Sequence, residues 1–179
     1  MLILASQSPR RKELLRLLTT DFVVMPANID EEVVVKVPSD LAKEISKLKA
    51  YEIFQNYPND TVLAVDTIVI IDGQVLGKPY SKADARRMLE LLSGRKHHVI
   101  SGFTLVSAER EINANVVTEV YFNKLSDETI EKYIEGGSPF DKAGAYGIQD
   151  KDFDLVNHIN GSYYNVMGLP VEELKKYIK

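Results

Sequence analysis

The start of the chain combines a short strand, a turn and the beginning of a helix. The apolar run at residues 2–5 suits a buried strand and is too short for a helix. Ser8 is a favourable N-cap, and Pro9 fits the first helical position, where its missing N–H would have no partner in any case. A strand that turns directly into a helix favours an architecture in which helices cover a sheet.

Three cations, Arg10, Arg11 and Lys12, occupy the first turn of that helix. Positive side chains are unfavourable near the positive end of a helix dipole unless an anion compensates them. Free N–H groups, serine hydroxyls and guanidinium groups together suit a phosphate ligand. The segment therefore predicts a phosphate site, and the alternative is a solvated basic turn. We expect one of Arg11 and Lys12 to face solvent.

The rest of the sequence alternates between strand and helix patterns. Further strands are predicted at residues 22–25, 61–65, 67–71, 74–76, 99–107, 112–122 and 155–159. Helices are predicted at 9–18, at 39–57 with Ser39 as N-cap, from Ser81 to residue 92, at 126–135 and at 171–179. The two long runs at 99–107 and 112–122 predict an antiparallel ribbon, so a purely parallel sheet is not expected. The predicted fold class is a single-domain mixed α/β fold over residues 1–179.

Composition excludes several classes of function. The 179 residues have a net charge of −4, which argues against an extended nucleic-acid surface. No apolar segment approaches the ~20 residues needed to cross a bilayer, so no membrane partner and a cytoplasmic location are expected. The absence of cysteine excludes disulfides and thiolate chemistry. The spacing of His97, His98 and His158 does not suit a zinc site and indicates structural roles.

Asp66 follows the apolar run at 62–65, which places a carboxylate at the predicted end of a buried strand. A lone buried carboxylate is costly unless it is paired or binds a metal, so Asp66 is a candidate general base or metal ligand. The alternative is an aspartate that caps a turn. The hairpin predicted after Asp66 returns Lys78 close to it, where the lysine could form a surface ion pair or bind a polyphosphate.

The segment at 141–149 combines small residues with a cation and an amide. Gly144 and Gly147 allow the backbone to approach a ligand closely. Gln149 offers one donor and one acceptor in parallel, as reading the edge of a nucleobase requires. The alternative is a tight loop around a packed Tyr146.

Several short motifs together resemble the Maf family of nucleoside triphosphate pyrophosphatases, and the likeness runs over almost the whole chain. Each motif alone is unspecific, but their common order makes a chance similarity improbable. The matching pieces are LASQSPRR at 4–11, IDE at 29–31, KA at 49–50, AVDT at 64–67, LGKP at 76–79, LSG at 92–94, DKAGAYGIQ at 141–149 and YNVMGLP at 164–170.

The resemblance implies a fold similar to that of Maf and inosine triphosphatase proteins, with a central mixed twisted sheet flanked by helices and a nucleotide-binding cleft. It implies hydrolysis of a nucleoside triphosphate to the monophosphate and pyrophosphate with Mg²⁺ or Mn²⁺. Arg10, Thr67 and Gln149 match the branch that prefers dTTP and UTP, which implies a housecleaning role in the nucleotide pool. The alternatives are another or a modified nucleotide, such as 7-methyl-GTP, and a non-enzymatic regulator of cell division.

The same resemblance implies roles for individual residues. Asp66 would act as the general base and, with Glu31, would hold the metal ion. The phosphate oxygens would bind to Ser6, Ser8, Arg10, Arg11, Lys49 and Lys78, and base specificity would depend on Arg10, Thr67 and Gln149. We also expect a homodimer.

Overall fold

The computed structural model describes residues 1–178 of the chain. Its seven strands form one sheet with the order β2-β1-β3-β5-β6-β7, and β4 pairs with β3. β1 runs parallel to β2 and β3, whereas the remaining pairs are antiparallel. The expected mixed sheet is therefore confirmed. The strands are β1 (Leu2–Leu4), β2 (Phe22–Val24), β3 (Thr61–Ile71), β4 (Gln74–Leu76), β5 (Lys96–Val106), β6 (Glu111–Phe122) and β7 (Val156–Asn160).

Helices cover both faces of this sheet. They are α1 (Pro9–Leu15), α2 (Leu41–Phe54), α3 (Lys82–Leu92), α4 (Asp127–Glu135), α5 (Tyr163–Met167) and α6 (Val171–Leu174). Successive side chains of a strand point to opposite faces, and β3 follows this rule. Val62 and Ala64 pack in one cluster with α2. Leu63 and Val65 pack on the opposite face with α1 and α6, and Val69 continues that face towards α3 and α4.

The edge of β3 that faces β1 is left open in its middle. β1 pairs with β3 only as far as Leu63, and β4 pairs with β3 only from Val69 onward. β5 occupies the other edge of β3 throughout this stretch. Residues 64–68 consequently have no strand neighbour on the open side, and Asp66 lies at their centre.

Gly102 allows α2 to approach the sheet beside Asp66. Gly102 is the residue of β5 that pairs with Asp66. A Cβ atom at this position would lie 2.2 Å from the backbone nitrogen of Lys43 and 2.3 Å from the carbonyl carbon of Ala42, which leaves no room for a side chain. The helix therefore packs directly on the backbone of β5, and Lys49 lies about 1.7 turns beyond Lys43 along it.

Some predicted boundaries were wrong. Asp66 does not end a strand, because β3 continues through it to Ile71. Ser39 lies inside a short 3₁₀ helix (Pro38–Asp40), and Asp40 occupies the N-cap position of α2. The first helix ends at Leu15 instead of residue 18, although Ser8 caps it as predicted.

The C-terminal part of the fold was also predicted incompletely. The helix predicted at 171–179 ends at Leu174, and Lys179 lies outside the described residues. The sequence did not predict α5, which Ser162 caps and Gly168 ends with a φ of 114°. Among residues 1–178, no helix has the length and apolar character that crossing a membrane would require.

Candidate functional site

A cleft of about 820 Å³ opens over the unpaired stretch of β3. Its walls come from the turn before α1, the loop before α2, α2 itself, the segment after β4 and the loop between α4 and β7. All ten residues singled out from the sequence line this one cleft, and the roles assigned to them remain predictions. They are Ser6, Ser8, Arg10, Arg11, Glu31, Lys49, Asp66, Thr67, Lys78 and Gln149.

Lys49 joins two carboxylates at the floor of the cleft. Its Nζ lies 2.7 Å from Glu31 Oε1 and 3.0 Å from Asp66 Oδ1. The side chains of Lys49 and Asp66 are each 13% exposed, whereas that of Glu31 is 58% exposed. Because only Oδ1 of Asp66 contacts Lys49, the same carboxylate has a second oxygen with which to accept a proton.

Arg11 is enclosed and bonded to three separate elements. Its Nε donates to the carbonyl oxygen of Gly168 at 2.8 Å, Nη1 to Ser6 Oγ at 3.3 Å and Nη2 to Thr67 Oγ1 at 3.1 Å. Burial lowers the pKa of Arg11, and the negative charge of Asp66 partly offsets this effect. Arg11 thus fixes the wall of the cleft, whereas Lys12 is exposed, as expected for one of the two.

The two serines of the first turn are already partnered within that turn. Ser6 Oγ accepts from the backbone N–H of Ser8 at 3.2 Å, in addition to Arg11. Ser8 Oγ accepts from the backbone N–H of Arg11 at 3.4 Å, the hydrogen bond of a helix N-cap. Ser6 is buried, and its hydroxyl stabilises the turn through these two hydrogen bonds.

Arg10 bridges the cleft to the loop on the opposite side. Its Nη1 donates to Asp141 Oδ2 at 2.8 Å, and Nη2 donates to the carbonyl oxygen of Asp141 at 3.4 Å. Desolvation, the largest single influence, would raise the pKa of Asp141, but hydrogen bonds from Lys142 and Arg10 outweigh it and hold that pKa below its ordinary value. Asp141 is therefore an anion at neutral pH.

Lys78, Gln149 and Thr67 complete the lining in different ways. Lys78 is exposed on the rim and forms no ion pair with the other residues of the described chain. Gln149 is partly buried on the opposite wall. The hydroxyl of Thr67 bonds to Ser101 Oγ at 2.9 Å as well as to Arg11, so this residue anchors the guanidinium.

Asn165 is a supporting residue that sequence reasoning did not single out. Its side chain is buried, and its Nδ2 donates to the carbonyl oxygens of Val99 and Val116, which fixes α5 on the sheet. Gly168, at the end of α5, then supplies the carbonyl that holds Arg11. The motif at 164–170 is the sequence signal for this support, because it combines a polar residue with a glycine two positions before a proline.

Comparison with known proteins identifies the family of this chain. A family model described as "Maf-like protein" matches residues 1–179. The chain belongs to the Maf family. The resemblance seen in the motifs is confirmed, and all of those motifs except LSG at 92–94 contribute residues to the walls of the cleft.

Several curated Maf relatives align over nearly the full chain. A "dTTP/UTP pyrophosphatase" of Thermococcus onnurineus is 51% identical over 172 residues, which cover 96% of this chain and 93% of the relative. A protein of the same name from Thermococcus gammatolerans is 48% identical and covers 98% of this chain and 94% of its own. One from Bacillus mycoides is 42% identical, with 99% and 94% covered.

A solved structure supports the fold alone. The Ham1 protein of Staphylococcus aureus superimposes with a TM-score of 0.56 at 13% identity, over 98% of this chain and 96% of that one. The expected mixed α/β fold class is thereby confirmed.

The residues of the Maf cleft fit a divalent cation that binds together with a substrate. Residues 1–178 contain no cluster of three or more histidine, aspartate or glutamate side chains suited to a metal ion. Mg²⁺ commonly uses only one or two protein carboxylates and takes its other ligands from phosphates and water. Glu31 and Asp66, held on one lysine ammonium, match that donor set.

Proposed function

We propose that this chain hydrolyses nucleoside triphosphates, with dTTP and UTP preferred, to the monophosphate and pyrophosphate. The observation that carries the proposal is the contact of Lys49 with both Asp66 and Glu31 inside a cleft lined by cations from separate segments. Relatives at 42–51% identity that are named dTTP/UTP pyrophosphatase support the same activity.

The triphosphate would bind among the cations that line the cleft. Lys78 on the rim is free to reach phosphate oxygens, and Arg10 can turn to them from Asp141. Lys49 lies at the floor, where it can contact both a phosphate and the carboxylates. Arg11 would contribute charge and hold the wall, since three of its five N–H groups are already bonded to protein. Cations in a partly enclosed cleft stabilise the charge that develops during phosphoryl transfer.

Asp66 is the candidate general base. Its second carboxylate oxygen can take the proton from a water that attacks the α-phosphorus, and Lys49 holds the carboxylate in a fixed orientation. In-line attack on the α-phosphorus makes pyrophosphate the leaving group, in contrast to attack on the γ-phosphorus, which would release phosphate.

A divalent metal ion is part of the proposal, and Mg²⁺ or Mn²⁺ is the expected identity. Glu31 and Asp66 would hold it together with the phosphates. When bound, such an ion neutralises phosphate charge and lowers the pKa of a water ligand.

Base selection is assigned to the wall that carries Gln149. Uracil and thymine present an acceptor–donor–acceptor edge, and the Gln149 amide can pair with two adjacent groups of that edge. Arg10 and Thr67, the other predicted specificity residues, line the same cleft, and Thr67 would act through Arg11. A homodimer and a cytoplasmic location belong to the same proposal.

The test is a panel of nucleotides that includes dTTP, UTP, CTP, GTP and 7-methyl-GTP, each with Mg²⁺, Mn²⁺ or a chelator. Pyrophosphate and phosphate are measured separately. We expect pyrophosphate from dTTP and UTP, and loss of activity with the chelator. Release of phosphate alone, or faster hydrolysis of 7-methyl-GTP than of UTP, would contradict the proposal.

A further inference from the structure

A buried tyrosine of α4 holds the segment that carries Gln149. The side chain of Tyr133 is 0% exposed. Its hydroxyl accepts a hydrogen bond from the backbone N–H of Gly147 at 2.9 Å and donates one to Asp150 Oδ2 at 2.6 Å. A single hydroxyl therefore contacts the residues on both sides of the pair Ile148-Gln149.

The segment between these two contacts is a closed turn. The backbone N–H of Asp150 donates to the carbonyl of Gly147 at 3.1 Å, which makes Ile148 and Gln149 the central residues of a four-residue turn. Asp150 Oδ2 also accepts from Ser138 Oγ at 2.5 Å. The turn is thus tied to α4 and to the loop after it.

The Gln149 side chain lies close to Gly147, so its position depends on where Gly147 is held. A Cβ atom on Gly147 would lie 2.8 Å from Lys142 Cε, 3.0 Å from Asp150 Oδ2 and 3.1 Å from Gln149 Cδ. The space that a side chain at Gly147 would need is consequently occupied in part by the Gln149 amide group. A shift of Gly147 would displace that amide from its place in the cleft.

We propose that Tyr133 and Asp150 are positioning residues that set the base selectivity of the cleft by fixing the turn at residues 147–150. The inference rests on the proposed function, in which Gln149 reads the base. Neither residue reaches the substrate, and both act through the place that they give to Gln149.

The charge state of the tyrosine suits this role. Burial and the hydrogen bond to Asp150 raise the pKa of the Tyr133 hydroxyl well above its ordinary value. The hydroxyl therefore stays protonated at neutral pH and can donate to Asp150 while it accepts from Gly147.

The phosphate half of the cleft should not depend on this contact. Among the side-chain hydrogen bonds of the described residues, those of the Tyr133 hydroxyl go only to Asp150 and Gly147. The hydroxyl reaches Arg10 only indirectly, through successive hydrogen bonds of Asp150, Ser138, Lys142 and Asp141. Loss of the tyrosine hydroxyl should therefore weaken the discrimination between bases and leave phosphate binding intact.

The decisive variant is Tyr133→Phe, which removes only the hydroxyl. We expect the ratio of kcat/KM for UTP to that for CTP to fall about tenfold, while kcat for UTP and inhibition by pyrophosphate each change by less than about threefold. A loss of stability alone would lower all activities together and would leave the ratio unchanged. Exchange of the Gly147 amide hydrogen should also become faster, which gives a readout that does not need turnover.

Two further sets of variants complete the test. Tyr177→Phe also removes a tyrosine hydroxyl, one that bonds to Glu173 outside the cleft, and should leave the ratio unchanged. Asp150→Ala should lower the ratio as Tyr133→Phe does, and the double variant should lower it no further, because both residues act on one turn. Asp150→Asn, whose amide oxygen can still accept from Tyr133 and Ser138, should keep the ratio near the wild-type value, and Asp150→Ala alone supplies the measurement should Tyr133→Phe fail to fold.

Gln149→Ala separates the failure of this inference from failure of the proposed function. If Gln149→Ala lowers the UTP-to-CTP ratio and Tyr133→Phe does not, the positioning role is overturned and the proposed function stands. If neither variant changes the ratio, the base is read elsewhere and the positioning role falls with that assignment. If the wild-type protein releases no pyrophosphate from any nucleotide, the proposed function itself is overturned.

Discussion

Arg10 and Asp141 form an ion pair of 2.8 Å across the cleft, although they are 131 positions apart in the sequence. The arginine belongs to the first turn of α1, and the aspartate ends a 3₁₀ helix (Ser138–Asp141) on the opposite wall. Asp141 also contacts Lys142 Nζ at 2.8 Å. The Asp141 carboxylate therefore holds two cations, Arg10 and Lys142, and a polyphosphate could bind to these cations in place of the carboxylate.

The pair between Arg10 and Asp141 leads to a prediction for Asp141→Asn. The amide oxygen of asparagine can still accept from Arg10, but the negative charge leaves the cleft. We expect the KM for UTP to fall about two- to fivefold at low salt, as suits a partly exposed charge interaction, and the gain to shrink at high salt. Steady-state kinetics at two ionic strengths measure both effects.

Asp152→Asn is the matched control for that variant. It removes the same charge from the same loop at an exposed residue that does not line the cleft. The KM should stay near the wild-type value. An equal fall in KM for the two variants would show that net charge alone is responsible.

A second prediction concerns Asp66→Asn. The amide keeps the size of the carboxylate but cannot accept the proton of the attacking water. We expect kcat to fall by about 10²–10⁴-fold, the usual range for loss of a general base, while the nucleotide still binds. Binding is measured by calorimetry with a non-hydrolysable analogue, and turnover by pyrophosphate release. Asp72→Asn, in the turn of the same hairpin, should keep wild-type turnover, and normal turnover in Asp66→Asn would exclude Asp66 as the base.

Much of the fold could be predicted from local patterns. Ser8 and Ser81 cap their helices as expected, and Ser126 also proves to be a cap, because capping depends on a few neighbouring residues. The continuation of β3 through Asp66 was missed, since a polar residue within an apolar run looks locally like the end of a strand. The gap between β1 and β4 opens the cleft beside Asp66, and Lys49 pairs with its carboxylate there, so the charge is tolerated.

The candidate site was predictable in its members but not in its contacts. The family motifs indicated all ten site residues, and the fold places all ten in one cleft. Local sequence could not indicate that Arg11 is bonded to Gly168 and Thr67, or that Tyr133 supports the turn of Gln149. Such contacts join distant segments, so they depend on the packing of helices on the sheet.

A third prediction separates Arg11 from its neighbour Lys12. In Arg11→Lys a single ammonium replaces a guanidinium that donates to Gly168, Ser6 and Thr67. We expect a loss of about 1–3 kcal/mol in the free energy of unfolding, because buried acceptors lose their donors. Urea unfolding should show a lower midpoint at an unchanged m-value. Lys12→Ala, at an exposed position, should stay within about 0.5 kcal/mol, and equal stability of both variants would contradict the anchoring role of Arg11.

A fourth prediction concerns stability in acid and depends on His97. This residue is buried in β5, and its Nε2 lies 2.7 Å from the hydroxyl of Tyr146. Burial lowers its pKa from 6.5 to about 3, with a smaller effect from His98.

The lowered pKa of His97 makes the folded protein less stable in acid. Between pH 6.5 and about 3 the unfolded chain binds a proton at His97 that the folded protein does not, so stability falls as the pH falls. The contribution of this one residue between pH 7 and pH 5 is about 2 kcal/mol. His97→Gln should therefore lose less stability over that interval than the wild-type protein does, as measured by urea unfolding at both pH values. His158→Gln, at an exposed position, should retain the wild-type dependence, and parallel curves for all three proteins would show that His97 is protonated in the folded state.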